Sequence, residues 1–491
     1  MTEGSPVRSV CRTSTVAFVL GVSLPLAPVP PASAGVTDID LLSARTRLLG
    51  AGAVGGAGDV NGDARPDLLV ANAMADPFGR KDAGAAFIRT GGRRKAAVSG
   101  PDFAGFRIAG AGRSDRLRST CIAGDVNGDE LADALVGAQT ADTPNGEASG
   151  AAYVVFGSKE PDDVDLRSFH RGTQGGTGFR IDGPGTFTLA GLDVACIGDV
   201  NLDGLADLAV AAPFAGATYV VFGKATSDPV DLRLFELNAH GTTGFRIATP
   251  SPENSGDYAV GAAGDVDRDG HPDVIIGVIA QDFDSPGTGY VVFGKADPLP
   301  VDVTEGGNEW GYRIEGESDG FATGSAVAGA GDVNGDGFDD VVLGAHRIYR
   351  NLPGRAYVVY GNEAPVDVHL GDLGDGGFPM TGGPGRDAAG SAVAPAGDFD
   401  ADGFEDVLVG APWGSGRRRV GAGVVYVVYG AVSSPHLRLR ELGHRGHRII
   451  GARPDDQMGS SVRAFDSNGR SRVMIGSWYS ERVYVMRVAG R

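Results

Sequence analysis

The sequence predicts an all-β chain: a seven-bladed β-propeller of four-stranded blades, closed by an N-terminal strand completing blade 7. Three observations predict it. A short acidic loop recurs six times at a nearly constant interval. Short apolar, β-branched runs follow every copy in the same order. A seventh, decayed copy stops before its outer strand, while a strand-like segment at the other end has no repeat of its own.

The loop is clearest in Gly331–Gly344, GDVNGDGFDDVVLG. Asp332, Asn334, Asp336 and Asp340 stand at positions 1, 3, 5 and 9. That density of carboxylate is costly unless a cation sits among them. Ca²⁺ suits the place, since it takes oxygens from carboxylates, carbonyls and water at about 2.3–2.6 Å. Phe338, at position 7, would offer its carbonyl. The loop is not an EF-hand, because position 12 is Leu343 inside an apolar strand rather than a bidentate Glu.

The six copies begin at Asp59, Asp125, Asp199, Asp265, Asp332 and Asp398, spaced 66, 74, 66, 67 and 66 residues apart. The first is expected to ligate through Asp59, Asn61, Asp63, the Arg65 carbonyl and Asp67. The second uses Asp125, Asn127, Asp129, Leu131 and Asp133; the third uses Asp199, Asn201, Asp203, Leu205 and Asp207. The fourth uses Asp265, Asp267, Asp269, His271 and Asp273, and the sixth uses Asp398, Asp400, Asp402, Phe404 and Asp406. Up to six Ca²⁺ are therefore expected. Loops 3–6 have Gly at position 6 (Gly204, Gly270, Gly337, Gly403), where the chain turns sharply; loops 1 and 2 have Ala64 and Glu130. A non-glycine residue is disfavoured at positive φ, so weaker binding is expected in those two. In the seventh copy Ala464, Asp466, Asn468 and Arg472 occupy positions 1, 3, 5 and 9. No metal is expected there, and Arg472 is expected to sit against Asp466.

Four strands can be cut from each repeat. Strand A precedes the acidic loop, as in Gly324–Val327 and Gly390–Val393. Strand B follows it, as in Val341–Leu343 and Val407–Val409. Strand C is the clearest, as in Tyr153–Phe156, Tyr219–Phe222 and Tyr426–Tyr429. Strand D is the short Gly-Phe-Arg-Ile at 105–108, 178–181 and 244–247, and Gly446–Ile449 in the sixth repeat. Strands B and C are apolar on both faces, which marks sheets covered on both sides. In the seventh repeat Gly459–Val462, Val473–Ile475 and Val483–Val485 serve as A, B and C. Val36–Leu42 is expected to pair with Val483–Val485 as the missing outer strand, which removes an exposed edge.

Composition narrows the class. Net charge is −19 over 491 residues, and the loop positions alone hold 20 Asp. A basic footprint for nucleic acid is missing; Arg93-Arg94-Lys95 and Arg417-Arg418-Arg419 read as solvated loop charge. Residues 1–34 read as a secretory signal: Arg8 and Arg12, the apolar Thr15–Leu26, then Ala32-Ser33-Ala34. No later apolar segment is long enough to span a membrane. With Cys11 in the signal, Cys121 and Cys196 remain, close before neighbouring acidic loops. A disulfide between them and two buried free thiols are both open. The excess of Arg over Lys, 38 against 5, and the lack of an N-x-S/T sequon suit a bacterial source.

The acidic loop, the apolar strand and a Gly-Ala-Pro end resemble the FG-GAP repeat. Gly410-Ala411-Pro412 carries that end, and Ala211-Ala212-Pro213 comes close. The resemblance covers residues 35–491. It departs from the pattern in the Phe-Gly pair, where Thr323, Ala389 and Met458 precede the Gly. Seven such repeats form the N-terminal propeller of integrin α chains, and similar arrays occur in exported bacterial proteins. The resemblance implies a secreted, monomeric, Ca²⁺-stabilised module for adhesion or protein binding, without catalysis. A lectin-like propeller for glycans and an extracellular hydrolase or lyase are the alternatives. Gly316-Glu317-Ser318-Asp319-Gly320 matches G-x-S-x-G but lies in a loop with no helix following, and His444 and His447 lack a third ligand. The B–C connections vary in length and gather on the face opposite the acidic loops, where recognition is expected. Trp413 and Trp478 lie there and either stack on a ligand or pack against neighbouring blades.

Overall fold

A computed structural model describes residues 37–40, 46–49 and 52–487, except 91–103, 171–175, 251–257, 280–285, 306–308, 319–320, 347–352, 384, 417 and 468. The expected secretory signal, Arg93-Arg94-Lys95 and part of the G-x-S-x-G segment lie outside the described residues.

The chain folds as a seven-bladed β-propeller, as the repeat count predicts. Each blade is an antiparallel meander. Blade 5 runs Ala322–Gly331 (A), Asp340–His346 (B), Arg355–Val359 (C) and Gly377–Thr381 (D). Blade 6 runs Ala392–Gly397, Asp406–Ala411, Val424–Val428 and Gly446–Ile450 in the same order. The core lies between blades rather than within one. A single apolar cluster joins Val154, Phe179 and Ile181 of blade 2 to Leu208, Tyr219 and Val221 of blade 3. This is why strands B and C carry apolar residues on both faces. The aromatic residue of strand C is buried at these interfaces, as at Phe87, Tyr153, Tyr219, Tyr357 and Tyr484.

The blades exceed the expected four strands. Six of the seven sheets have a fifth strand, parallel to D on the outer edge. It is only two residues long in blades 1–5: Val164–Asp165, Val230–Asp231, Val301–Asp302, Val368–His369 and Leu437–Arg438. Each comes from the C–D connection of the following blade. The next residue plugs into the core: Leu166, Leu232, Val303, Leu370 and Leu439 are all at most 3% exposed. The latch therefore covers an outer edge and ties adjacent blades together.

The same rule corrects the ring closure. Thr37–Asp40 pairs with Gly446–Ile450 of blade 6, in parallel, and not with blade 7. Blade 7 is completed by Thr46–Leu49, antiparallel to Arg482–Val485. Ile39-Asp40-Leu41 has the Val-Asp-Leu pattern of the latches at 164–166 and 230–232. Ile39-Asp40 occupies their register, with Ile39 opposite Ile449 as Val164 is opposite Ile108. Both chain ends do share the last blade, with the partner segment moved by about one latch length.

Cys121 and Cys196 are bridged, with Cα atoms 6.0 Å apart. They join strand A of blade 2, Leu117–Ile122, to strand A of blade 3, Val194–Gly198. Among the described residues no helix is long and apolar enough to cross a membrane.

Candidate metal loops

Each acidic loop is built from the buried end outward. The position-9 residues Asp67, Asp133, Asp207, Asp273, Asp340 and Asp406 are fully buried. One carboxylate oxygen of each accepts the N–H of position 2 at 2.8–3.2 Å, from Val60, Val126, Val200, Val266, Val333 and Phe399. In loops 2–6 the other oxygen accepts the N–H of a glycine near the end of strand C, from Gly157, Gly223, Gly294, Gly361 and Gly430. Glycine is required there by close approach: a Cβ on Gly361 would lie 2.3 Å from the Asp339 carbonyl. Position 9 thus clamps the loop to its own blade as well as facing the loop interior.

Position 1 organises the exposed half. One oxygen accepts the N–H of position 5 at 3.0 Å in loops 1, 2, 3, 5 and 6. The other accepts the N–H of position 6 in all six loops, at 2.6–3.0 Å. The position-7 residues Arg65, Leu131, Leu205, His271, Phe338 and Phe404 donate their N–H to the position-5 carboxylate. The side chains of positions 1, 3, 5 and 9 are thereby turned into one small volume.

Position 6 has positive φ in every loop, including Ala64 at 60° and Glu130 at 68°. The sequence reading missed that position 4 does too: Gly62, Gly128, Leu202, Arg268, Gly335 and Ala401 lie between 60° and 82°. Loops 1 and 2 put glycine at position 4, whereas loops 3, 4 and 6 put it at position 6. The expected handicap of loops 1 and 2 is therefore matched in three others. Loop 5 alone has glycine at both turns.

The loops are also stitched to one another. The position-8 N–H of Ala132, Ala206, Asp339 and Glu405 donates to the position-1 carbonyl of the preceding loop: Asp59, Asp125, Asp265 and Asp332. At the third-to-fourth junction position 8 is Pro272, which has no N–H. There the His271 ring nitrogen Nδ1 lies 2.8 Å from the Val200 carbonyl instead. Loops 1–3 and loops 4–6 thus form two backbone-linked arcs.

Burial is the main force on the position-9 carboxyls of loops 2–6, with neighbouring carboxylates adding to it and backbone N–H bonds opposing it. Asp133 and Asp207 are pushed up to about 7, and Asp273, Asp340 and Asp406 to about 8. Asp406 has the Arg445 guanidinium nearby, and backbone N–H groups are the main counterweight to burial at all five. The donor set fits a hard divalent cation. Carboxylate oxygens of Asp265, Asp267 and Asp269 lie within 4.8 Å of one another, as do those of Asp398, Asp400 and Asp406. Oxygens on opposite sides of one Ca²⁺ are separated by about 5 Å. Asp265 Oδ1 is buried with no hydrogen-bond partner, which a cation would supply. Loops 4 and 6 are the two with Asp rather than Asn at position 3.

The seventh copy differs. Strand A ends at Asp466 and strand B starts at Ser471, paired directly with it. The Asp466 carboxylate accepts the Gly469 N–H at 2.9 Å. Arg472 is opposite Phe465 in the ladder. It therefore points to the other face from Asp466, contrary to the pairing expected.

On the opposite face, Trp478 is 41% exposed with the Arg118 guanidinium 3.6 Å from its ring. Trp413 is half-buried beneath Arg386, at 4.2 Å. In the G-x-S-x-G segment, Glu317 is held by the Arg355 guanidinium and by the Tyr357 hydroxyl at 2.6 Å.

The FG-GAP repeat matches residues 51–88, 323–359 and 389–428, and an FG-GAP-like repeat matches 199–276. The chain is 28% identical to integrin alpha pat-2 of Caenorhabditis briggsae over 247 residues, covering 47% of this chain and 18% of that protein. It is 31% identical to integrin alpha-3 of Cricetulus griseus over 160 residues, covering 32% and 13%. It is 38% identical to the phosphatidylinositol-glycan-specific phospholipase D of Rattus norvegicus over 128 residues, covering 23% and 14%. It spans less than a fifth of the length of each of these curated relatives.

Proposed function

We propose that this chain, an integrin α-like FG-GAP β-propeller, is an extracellular binding module whose six acidic loops take Ca²⁺ as structural ions. The observation that carries the reading is the convergence of loop carboxylates around a buried, unpartnered Asp265 oxygen. Bound Ca²⁺ supplies positive charge within each loop. The chain's own residues do the rest. Position 9 holds the loop to the end of strand C, position 1 shapes the turn, and position-8 amides tie loops 2, 3, 5 and 6 to the loop before. The result is two rigid arcs at one end of the blades, bridged at the third-to-fourth junction by the His271 ring. A rigid end lets the variable connections at the other end hold a fixed recognition surface. The disulfide between Cys121 and Cys196 fits an oxidising compartment outside the cytosol, and the integrin α relatives suit a role in adhesion or protein binding.

Thermal unfolding tests the metal half. A ligand that binds only the folded state at a hundredfold excess over its Kd adds about 2.7 kcal/mol per site. Millimolar Ca²⁺ should raise the melting temperature by on the order of 10 °C over the chelated protein. Superimposable curves with Ca²⁺ and with chelator would reject it.

A further inference from the structure

We propose that a cleft between blades 5 and 6 binds the carboxylate-bearing end of an acidic saccharide. This rests on reading the face opposite the acidic loops as the recognising one, and it names the ligand class there. The cleft encloses about 380 Å³ and is lined by Arg386, Arg440, Arg448, Trp413, Tyr426 and Asp387, among others. That volume suits the end of a small ligand rather than a folded epitope. Three guanidiniums around one cleft stand out on a chain of net charge −19.

Arginines beside the B–C connections of other blades are neutralised. Arg355 pairs with Glu317, Arg482 with Asp456, and Arg80 with Asp165. At this cleft the acid is used otherwise. Asp387 is buried and accepts the backbone N–H groups of Gly354, Gly383 and Ala389. Among the described residues Arg386 and Arg440 have no carboxylate partner, and both are exposed. Arg386 is held in place by stacking on Trp413. The Trp413 backbone is itself tied across the cleft, its amide N–H donating to the Asp387 carbonyl at 3.1 Å. A fixed planar fork of donors matches a carboxylate.

The rest of the wall favours a sugar over a peptide strand. An extended peptide binds by adding to a free sheet edge. Here the outer edge of blade 5 carries Leu437–Arg438 and that of blade 6 carries Thr37–Asp40. Recognition is left to side chains, and an indole beside guanidiniums suits a pyranose ring bearing a carboxylate.

Calorimetric titration of the full chain in millimolar Ca²⁺ tests this. The probes are a glucuronate-terminated disaccharide, its glucose-terminated counterpart and a Glu-containing peptide of equal charge. The acidic disaccharide is expected to bind, and the neutral one to bind at least about tenfold more weakly. The double variant Arg386→Ala/Arg440→Ala should weaken the acidic disaccharide by about 10- to 100-fold. Its Ca²⁺-dependent melting shift should match the parent's, showing an intact ring. The double Arg→Lys variant should fall between, since it keeps charge and loses the fork. The proposal is overturned if a parent protein that shows its Ca²⁺ shift ignores the disaccharide, if the Ala variant binds it equally, or if the peptide binds more tightly. A missing Ca²⁺ shift with disaccharide binding intact would instead reject the metal reading and leave the cleft standing.

Discussion

Blade 5 and blade 7 join the same two strands in different ways. In blade 5 the chain leaves strand A at Gly331 and spends Asp332–Phe338 on a wide acidic turn before strand B begins at Asp340. In blade 7 strand A runs to Asp466 and strand B starts at Ser471, with Ser467 N–H bonded to the Arg470 carbonyl. A blade of this fold therefore closes with an ordinary hairpin. The longer turn, with its buried Asp340 and two left-handed glycines, is not needed to connect the strands. Its cost makes sense as housing for charge that something else balances.

The largest test of that contrast is pH. The position-9 carboxyls of blades 2–6 lie at about 7 to 8 in the fold, above the ordinary value of 3.8. Between those values the folded state holds more protons than the unfolded one. Stability of chelated protein is thus greatest below about pH 4 on this account alone and falls as pH rises through about 8. The expected loss is several kcal/mol across that window, read from denaturant melts at pH 5 and pH 8. Millimolar Ca²⁺ should flatten or reverse the slope, because the ion favours the ionised form. An identical slope with and without Ca²⁺ would break the comparison.

Next in size is a pair of substitutions. Asp340→Asn in Ca²⁺ should cost about 3 kcal/mol, since it weakens a charged acceptor of two buried N–H groups and a ligand at once. Under chelation the same change should cost much less, because the parent carboxyl is then largely protonated at neutral pH. Asp466→Asn in the seventh hairpin should stay within about 0.5 kcal/mol in either condition. Equal costs at the two positions, measured by urea unfolding, would mean that the acidic loop is only another hairpin.

The smallest effect sharpens the comparison among the loops themselves. Ala401→Gly removes a left-handed alanine at 63° and should stabilise by about 1 kcal/mol. Gly403→Ala should destabilise by about as much, since φ there is 95° and a Cβ would meet nothing within 4 Å. Melting temperatures moving in the same direction for both would deny that backbone strain is the cause.

Much of this was legible in the sequence, for a physical reason. The acidic loops, strands B and C, and the blade count follow from a local pattern repeated at a fixed interval, and each copy reports the same environment. The disulfide partners were visible too, though not the bond. Four features were not legible. The latches such as Val164–Asp165 are too short to show a period, and only the buried Leu166 beside them reveals their purpose. The partner of Thr46–Leu49 is more than 430 residues away in the chain, so neighbours gave no cue to the register. The left-handed turn at position 4 is hidden because Leu202, Arg268 and Ala401 are residues that do not advertise positive φ. The stacking of Arg386 on Trp413 joins two connections whose sequences share no pattern.

The central assertion is that one ring of loops is filled and the seventh position is not. Native mass spectrometry of the folded chain, exchanged into volatile buffer with Ca²⁺, counts that directly. The account predicts a mass increase of six calcium ions, removed by chelator and reduced by one in Asp332→Ala. An unchanged mass, or a count indifferent to loop substitution, would contradict it.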